Sequence, residues 1–353
     1  MRLYPFVALS LVLFLAGCVA PPARPRIVRK PAPPSPPPAA AATNRPAPPP
    51  VRPVTPPPPV ATSVVIRPPA LPFRTVLAVQ TCIDRVNFSC GYSSGEMTDQ
   101  AVAALKAWQG IRGLPVTGQI DDRTLARCGN LDLEFITHTV TEAERASLGE
   151  FPTSWAARAD LPRAAFVTIL ELVAENYHAS EAAIQRLNPQ AAWPNPPAGT
   201  VLTVPKAAPA KHVEVARIVI SLSRRQLQGF DAAGKLVLHF PCSIARDVSK
   251  RPVGELKIVN AASDPIYTFD PAVFPEDPEA QAIGRQLILR PGPNNPVGVA
   301  WLGLSREGYG IHGTAWPEDI GKTESHGCFR LANWNAAKLV RMVKLGTPVI
   351  VEP

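Results

Sequence analysis

The stretch "IHGTAWPEDIGKTESHGCFRL", residues 311–331, places two histidines, one cysteine and one arginine in a single short segment. A cysteine attacks as its thiolate, and an imidazole within hydrogen-bond reach lowers the pKa of the thiol. The segment therefore predicts a reactive thiol at Cys328, with His312 and His326 as its candidate partners.

Two other uses of these residues compete with that interpretation. A zinc site needs three or four ligands of suitable spacing, and His312, His326 and Cys328 come without a fourth candidate or a paired-cysteine motif. We therefore predict no metal and no cofactor. A structural disulfide between Cys328 and Cys242 is the second alternative, because disulfides persist in exported proteins.

The residues next to Cys328 suit acyl transfer. Gly327 permits an unusual backbone turn, which would point amide N–H groups near Cys328 at a developing oxyanion. Arg330 lies two residues further on, so in an extended segment its side chain shares a face with Cys328. Its planar guanidinium suits a substrate carboxylate or the carbonyls of a peptide.

These residues follow one another in a distinctive order. His312-Gly313-Thr314 is followed by Ser325-His326-Gly327-Cys328-Phe329-Arg330, and the combination strongly resembles the signature of the L,D-transpeptidase family, the YkuD catalytic domain. The resemblance extends over residues 215–352 and includes "PGPNNPVG" and "LSREGYGIHGT". Phe329 stands where the family more often has an aliphatic residue.

The resemblance implies a mechanism. Cys328 attacks the amide between the diamino acid at the third position of a peptidoglycan stem and the D-alanine that follows. His312 accepts the thiol proton and returns it to the leaving amine, while backbone N–H groups near Gly327 and Cys328 hold the oxyanion. An amine from a second stem peptide resolves the thioester and gives a 3→3 cross-link.

The resemblance also implies roles for the rest of the signature. Ser325 and His326 would shape the pocket, and Gly313 would orient the base. The substrate would be bound by Arg330, Thr314 and Tyr309. Which histidine is the base stays open, because either ring could lie within about 3 Å of the sulfur. The acyl acceptor also stays open, since water, another amine or a protein would make a carboxypeptidase, an endopeptidase or a wall-attachment enzyme.

Residues 210–353 have the pattern of a β-rich domain. "VARIVISLS" alternates apolar and polar residues, and "QLQGFDAAGKLVLHFPCS" predicts a hairpin around 232–234. One strong helix follows near the end, where Asn333 is a candidate cap for "WNAAKLVRMVKLG" and Gly346 closes it. A last strand, "PVIVE", completes the predicted catalytic domain.

Residues 1–18 have the features of an export signal. Arg2 is followed by the apolar stretch "FVALSLVLFLAG", which is too short to span a bilayer comfortably. The stretch ends in "LAGC", which resembles the lipobox of bacterial lipoproteins and predicts lipidation of Cys18. The alternative is an ordinary cleaved signal peptide. The lipoprotein interpretation predicts an exported, lipid-anchored protein of the cell envelope, periplasmic and with the outer membrane as the expected site of the anchor; which membrane holds the lipid stays open.

Residues 19–74 form a predicted linker. They hold 21 of the 43 prolines, eight basic residues and no acidic residue, so they favour extended polyproline conformations. At about 3.1 Å per residue the linker could reach on the order of 150 Å. The remaining chain from Thr75 has 27 basic and 28 acidic residues, so the net charge of +8 belongs to the tail. We therefore predict no nucleic-acid partner.

Residues 75–130 predict a small α-helical bundle. "TDQAVAALKAWQ" has a helical stripe with Thr98 or Asp99 as its cap, and Asp121 or Asp122 can cap a third helix after the turn "GLPVTG". The order of these segments is similar to the peptidoglycan-binding domain type 1 family. Cys128 could meet Cys82 or Cys90 in a disulfide, which would leave one odd thiol.

Residues 131–209 predict an α+β module. "ELVAENYHASEAAIQRLNPQ" and "PPAGTVLTVP" resemble the second half of a LysM module, a βααβ fold that binds glycans. Its first half departs from the family by an insertion in "THTVTEAERASLGEFPTSW". His178 is interpreted as a surface histidine in the turn between two helices, in preference to a ligand contact.

The whole chain is therefore predicted to be a multidomain cell-wall enzyme. Its expected partners are peptidoglycan stem peptides, glycan strands and, through the lipid on Cys18, a membrane, and we expect a monomer. A non-catalytic tether between membrane and wall is the alternative of a different class. It leaves the reactive residues around Cys328 without a purpose.

Overall fold

A computed structural model describes residues 71–207, 212–321, 323–325 and 327–353. The chain divides into two units, Met1–Ile66 and Arg67–Pro353, and every described residue belongs to the second. The predicted signal peptide, the lipidation site Cys18 and nearly all of the predicted linker lie outside the described residues, as does His326. Among the described helices, none has the length and apolar composition needed to cross a bilayer.

The described residues form nine α-helices and fourteen β-strands. The helices are α1 (Phe73–Asp84), α2 (Asp99–Ile111), α3 (Asp122–Cys128), α4 (Glu142–Ala146), α5 (Trp155–Asp160), α6 (Ile169–Asn176), α7 (Glu181–Leu187), α8 (Pro278–Ile283) and α9 (Asn333–Val340). The strands are β1 (Phe135–Thr139), β2 (Val201–Pro205), β3 (Arg217–Ser221), β4 (Gln226–Phe230), β5 (Leu236–Pro241), β6 (Ile244–Ala245), β7 (Gly254–Ser263), β8 (Tyr267–Phe269), β9 (Leu287–Leu289), β10 (Ala300–Leu304), β11 (Gly310–His312), β12 (Thr323–Ser325), β13 (Phe329–Arg330) and β14 (Pro348–Glu352). Helices dominate up to α7 and strands dominate after it.

Eight strands form one sheet in the order β13-β11-β10-β7-β14-β3-β4-β5. Two neighbouring pairs, β11 with β13 and β14 with β3, run parallel. Aliphatic side chains such as Ile218 and Leu302 form a continuous core with Leu339 of α9. The prediction of a β-rich catalytic domain with a C-terminal helix is therefore confirmed, and the predicted hairpin joins β4 to β5.

The first three helices pack as a small bundle. The side chains of Thr98 and Asp121 cap α2 and α3 by accepting hydrogen bonds of 3.2 and 2.8 Å from backbone N–H groups. Cys82 and Cys128 are both free thiols, and each perturbs the pKa of the other, lowering that of Cys82 and raising that of Cys128. Of the two partners that the sequence left open for Cys128, the structure therefore brings Cys82 to it, while Cys90 is buried separately.

The middle of the chain has the order β1-α6-α7-β2. The two strands pair antiparallel, from Phe135 opposite Pro205 to Thr139 opposite Val201. Ile169 and Ile184 of the two helices pack with Leu202 of β2 in one core. The segment between β1 and α6 is an insertion that contains α4 and α5, and it contacts the catalytic domain.

A buried ionic junction joins the three parts of the chain. Asp84 at the end of α1 lies 3.0 Å from the ammonium of Lys338 in α9, and its same oxygen lies 2.7 Å from His178 Nδ1. The His178 ring stacks on Trp334 with the ring centroids 5.1 Å apart. Burial raises the pKa of Asp84, but Lys338 and His178 outweigh it and hold that pKa well below its usual range.

The interpretation of His178 as a surface histidine is therefore wrong. Its side chain is 13% exposed and fills the contact between α1, the α6–α7 turn and α9. The turn residues that suggested exposure are themselves covered, because the Ser93 N–H donates to the His178 carbonyl at 2.8 Å. Local sequence in a turn does not reveal that another part of the chain will cover it.

Candidate active site

Two short parallel strands at the edge of the large sheet present the candidate residues. In the β11–β13 pair, Ile311 lies opposite Phe329, and His312 lies opposite Arg330. Ile311 and Phe329 are buried in the core. Because side chains alternate along a strand, His312, Arg330 and the preceding Cys328 face the other way.

The strand that carries Arg330 is fixed from both sides. The backbone of Arg330 exchanges hydrogen bonds of 3.0 and 3.1 Å with Ser243, and the Leu331 N–H donates to the His312 carbonyl at 2.8 Å. Reciprocal backbone hydrogen bonds leave little freedom to slide, so the relative position of Arg330 and His312 is set by the sheet.

The hydrogen bond of His312 defines its tautomer. The ring Nδ1 lies 2.6 Å from the Gly313 carbonyl oxygen, and a carbonyl can only accept a hydrogen bond, so Nδ1 carries the proton. The neutral ring therefore has an unprotonated Nε2, which can accept a proton. Burial and then the Arg330 guanidinium lower the pKa of His312 to about 3, against the opposing hydrogen bond to Gly313.

Asn333 packs beneath this histidine loop. A Cβ on Gly298 or Gly313 would lie only 1.9 or 2.2 Å from the Asn333 Oδ1, so two glycines are needed for the close approach. The Oδ1 accepts from the Val299 N–H at 3.2 Å. The Nδ2 donates to Glu175 of α6 at 2.8 Å, so a helix outside the catalytic domain contacts the support of His312.

The expectation that Asn333 caps the C-terminal helix is corrected by these contacts. The N-cap residue of α9 is Ala332, and no side chain caps the helix there. The Asn333 amide is engaged with Glu175, the Pro293 carbonyl and the Val299 N–H. A side chain committed to distant partners cannot also bond the first free amides of its own helix.

The turn before Cys328 is closed by Ser325. The Ser325 hydroxyl donates to the Cys328 carbonyl at 2.6 Å and accepts from the Gly327 N–H at 3.2 Å. A Cβ on Gly327 would lie 3.3 Å from the Tyr309 ring, so Gly327 lets the aromatic ring pack on the turn. Ser325 therefore shapes the backbone that presents the thiol.

The Cys328 thiol is electrostatically neutral at rest. Its sulfur lies 3.6 Å from the Gly308 carbonyl oxygen. Burial raises the pKa of the thiol, while the Gly310 N–H and the Arg330 guanidinium oppose this effect. The sequence led us to expect a thiol pKa lowered by an imidazole, and the structure gives the opposite direction because burial prevails.

The pH dependence of alkylation follows from these shifts. A raised thiol pKa keeps Cys328 protonated at neutral pH, so its iodoacetamide alkylation should still be rising above pH ~8.5, the ordinary value of a free cysteine. Peptide-resolved mass spectrometry measures this rate, with Cys328→Ser as the blank. A rate that is already constant between pH 5 and 7 would instead indicate a thiolate–imidazolium pair and contradict the prediction.

One cleft of about 680 Å³ contains most of the predicted site residues. Those that line it are Cys328, His312, Ser325, Gly327, Tyr309 and Arg330. Thr314 is buried and lines a smaller neighbouring cavity of about 130 Å³, which Arg330 also borders. Gly313 lies behind His312 as its hydrogen-bond partner. His326 lies outside the described residues, and its role stays a prediction.

Sequence reasoning missed a second group of cleft residues. Trp155 and Arg158 come from α5, Tyr267 comes from β8, Lys250 comes from a short 3₁₀ helix, and Trp316 comes from a loop. The only signal for the first two was the pair of aromatic residues in "EFPTSW", within a stretch that has no helical or strand period. Aromatic side chains outside any predicted core suggest a surface that another segment or a ligand covers.

The charge of the cleft has one sign. Arg158, Lys250 and Arg330 all line it, and no aspartate or glutamate lies among the described residues that do so. The walls are largely aromatic, and the Trp301 ring stacks on His312 with centroids 5.6 Å apart. Such a cleft suits an extended ligand that carries carboxylates.

Comparison with known proteins identifies the family. The L,D-transpeptidase catalytic domain family (YkuD) matches residues 215–351. A Bacillus licheniformis protein named as the L,D-transpeptidase YkuD is 29% identical over 184 residues, which are 52% of this chain and 93% of that protein. A Fuscovulum blasticum protein named as an L,D-transpeptidase is 35% identical over 136 residues, which are 38% of this chain and 68% of that protein. A crystal structure of L,D-transpeptidase 3 from Mycobacterium tuberculosis aligns with a TM-score of 0.32 at 20% identity, over 43% of this chain and 67% of that one. On its sequence matches, the chain belongs to the L,D-transpeptidase family.

Proposed function

We propose that this chain cleaves the bond between the diamino acid and D-alanine in peptidoglycan tetrapeptide stems, through a thioester on Cys328. The observation that supports the proposal most directly is the arrangement of the cleft. A thiol, a neutral imidazole with a free Nε2 and three cations line it together. The sequence relatives, named as L,D-transpeptidases, point to the same reaction class.

The first step forms the acyl-enzyme. The Cys328 sulfur bonds to the carbonyl carbon of the diamino acid as the thiol proton passes to His312 Nε2. Since both groups are neutral at rest, proton transfer accompanies attack instead of preceding it. The bond from that carbon to the D-alanine nitrogen then breaks, and the His312 proton leaves with the amine.

The second step transfers the acyl group. The amine of a second stem peptide attacks the thioester carbonyl, gives its proton to His312 and forms an amide as the carbon–sulfur bond breaks. His312 then passes the proton to the sulfur, which returns the Cys328 thiol. The product is a 3→3 cross-link. Water in place of the amine would give L,D-carboxypeptidase activity, and a protein amine would give wall attachment.

Intact-protein mass spectrometry tests both steps. We expect a carbapenem to add to the wild-type protein and not to Cys328→Ser, because acylation requires the sulfur nucleophile. Incubation with purified disaccharide-tetrapeptide is then expected to yield a muropeptide dimer. If tripeptide forms without dimer, the acyl-enzyme is hydrolysed by water and is not transferred to a second stem peptide. A folded protein that gains no adduct would remove Cys328 as the nucleophile and favour the non-catalytic tether.

We also propose that the protein works in the cell envelope as a lipoprotein anchored through Cys18. The support is the sequence "LAGC" after an apolar stretch, followed by a proline-rich linker. On this proposal residues 75–130 bind peptidoglycan and residues 131–209 resemble a glycan-binding module. Cys18→Ala is expected to move the protein from the membrane fraction to the soluble fraction, and retention in the membrane would contradict lipid anchoring there.

A further inference from the structure

Residues 149–165, which we call the cleft strap, cross the rim of the catalytic cleft. The strap begins where the Gly149 N–H donates to the Phe166 carbonyl at 2.8 Å, and it ends where the Ala164 N–H donates to the Pro291 carbonyl at 3.0 Å. A Cβ on Gly292 would lie 2.1 Å from the Ala164 carbonyl oxygen. The strap therefore lies directly on the catalytic domain.

Helix α5 in the middle of the strap is held by specific contacts. The Trp155 indole N–H donates to Asp277 at 2.9 Å, and its backbone N–H donates to Glu279 at 2.8 Å. The Trp155 ring stacks on Phe269 of β8 with centroids 4.3 Å apart. Partly buried hydrogen bonds and aromatic stacking together fix the position of α5 against β8, β9 and α8.

Arg158 projects from this helix into the cleft. Its guanidinium lies over the Phe151 ring at 4.1 Å and beside the Trp155 ring at 5.0 Å, and its Nε donates to the Pro152 carbonyl at 2.6 Å. Among the described residues, no carboxylate oxygen lies within 4.0 Å of the Arg158 guanidinium, the distance that defines an ion pair. The stacked, half-buried guanidinium thus keeps its terminal N–H groups for a ligand in the cleft.

We propose that the cleft strap is a substrate-binding wall and that Arg158 binds a carboxylate of the peptide in the cleft. The strap precedes residues 215–351, which match the catalytic family, so the proposed contact comes from outside the matched residues. The proposal rests on the proposed function for the identity of the peptide. The ligand class, an acidic peptide, follows from the three cations of the cleft.

Geometry favours a carboxylate over other ligand groups. A guanidinium with two free terminal nitrogens can donate two parallel hydrogen bonds to the two carboxylate oxygens. Stacking on Phe151 and Trp155 fixes the plane of the fork before the ligand arrives, which reduces the entropy lost on binding. A substrate of the proposed reaction carries several carboxylates, and Arg330, which also lines the cleft, can bind a different one.

Binding measurements with Cys328→Ala protein separate this contact from turnover. We would titrate purified disaccharide-tetrapeptide, and the same compound with its carboxylates amidated, into Cys328→Ala and into Cys328→Ala with Arg158→Gln. Arg158→Gln is expected to weaken binding of the free acid about tenfold or more, the usual worth of a hydrogen bond to a charged group. It should leave the amidated compound nearly unaffected.

Two further variants complete the design. Arg163→Gln is the matched control, because Arg163 lies in the same strap, is 58% exposed and does not line the cleft; its binding should match the parent. Arg158→Lys keeps the positive charge but lacks the planar guanidinium, so it should recover only part of the affinity for the free acid. Equal weakening of acid and amide, or no weakening of either, would overturn the proposal.

A second readout separates this proposal from the proposed reaction. Iodoacetamide carries no carboxylate, so its alkylation of Cys328 in Arg158→Gln reports the fold of the cleft and should keep the wild-type rate. A loss of both alkylation and peptide binding would mean that Arg158 only supports the fold, which overturns the proposal. A wild-type protein that binds the acid through Arg158 but forms no dimer would instead refute the proposed reaction alone.

Discussion

Replacing His312 with glutamine should slow acylation of Cys328 about 10²- to 10⁴-fold, the usual contribution of a general base. Glutamine can keep a hydrogen bond to the Gly313 carbonyl, but it cannot take the thiol proton. Because the pKa of His312 is lowered to about 3, the ring is still neutral at pH 5, with Nε2 unprotonated. The wild-type rate should therefore not fall through histidine protonation between pH 7 and pH 5.

Stopped-flow measurement of carbapenem consumption gives this rate directly. His239→Gln is the matched control, since His239 is also a buried histidine with a pKa lowered by burial, to about 4, and lies on β5 away from the cleft. We expect the control to acylate at the wild-type rate. If His312→Gln acylates as fast as the control, another group must accept the proton, and His326 becomes the candidate.

Replacing Lys338 with methionine should destabilise the protein by about 3–5 kcal/mol, the cost of leaving a buried charge without its partner. Lys338 and Asp84 have side chains that are only 4% and 5% exposed. Methionine fills a similar volume, so the loss of stability reflects removal of the charge more than a change in packing. Urea unfolding followed by tryptophan fluorescence measures the change in the free energy of unfolding.

The chain offers an exposed ion pair as the comparison. Lys344 lies 2.6 Å from Glu214, but these side chains are 74% and 63% exposed, so Lys344→Met should change stability little. Adding Asp84→Asn to Lys338→Met should restore part of the loss, because the unpaired carboxylate is then gone. Equal effects of Lys338→Met and Lys344→Met would contradict an energetic role of burial at this junction.

The candidate site residues that share the cleft could be predicted because they are local. Gly327, Cys328 and Arg330 belong to one segment, and a strand of period two fixes their relative directions before any other contact forms. The strands of the large sheet also followed from alternation and turn residues. Their order in the sheet did not, since pairing of β14 between β3 and β7 depends on contacts between distant parts of the chain.

The residues that sequence reasoning missed owe their roles to distant partners. Trp155 meets Asp277, and His178 meets Asp84, across separations that no periodicity encodes. Asn333 looked like a helix cap because asparagine favours that position, and the competing contact with Glu175 became apparent only in three dimensions. Short helices such as α5 also carry too few residues for a clear hydrophobic pattern.

The buried junction and the cleft strap bear on how this enzyme can be divided into fragments. A fragment that began at residue 215 would retain Lys338 without Asp84 and Asn333 without Glu175. It would also uncover Phe269, which is fully buried with Trp155 against it. The folded unit that supports the cleft is thus longer than residues 215–351, and we expect shortened versions to be stable only if they begin ahead of α1.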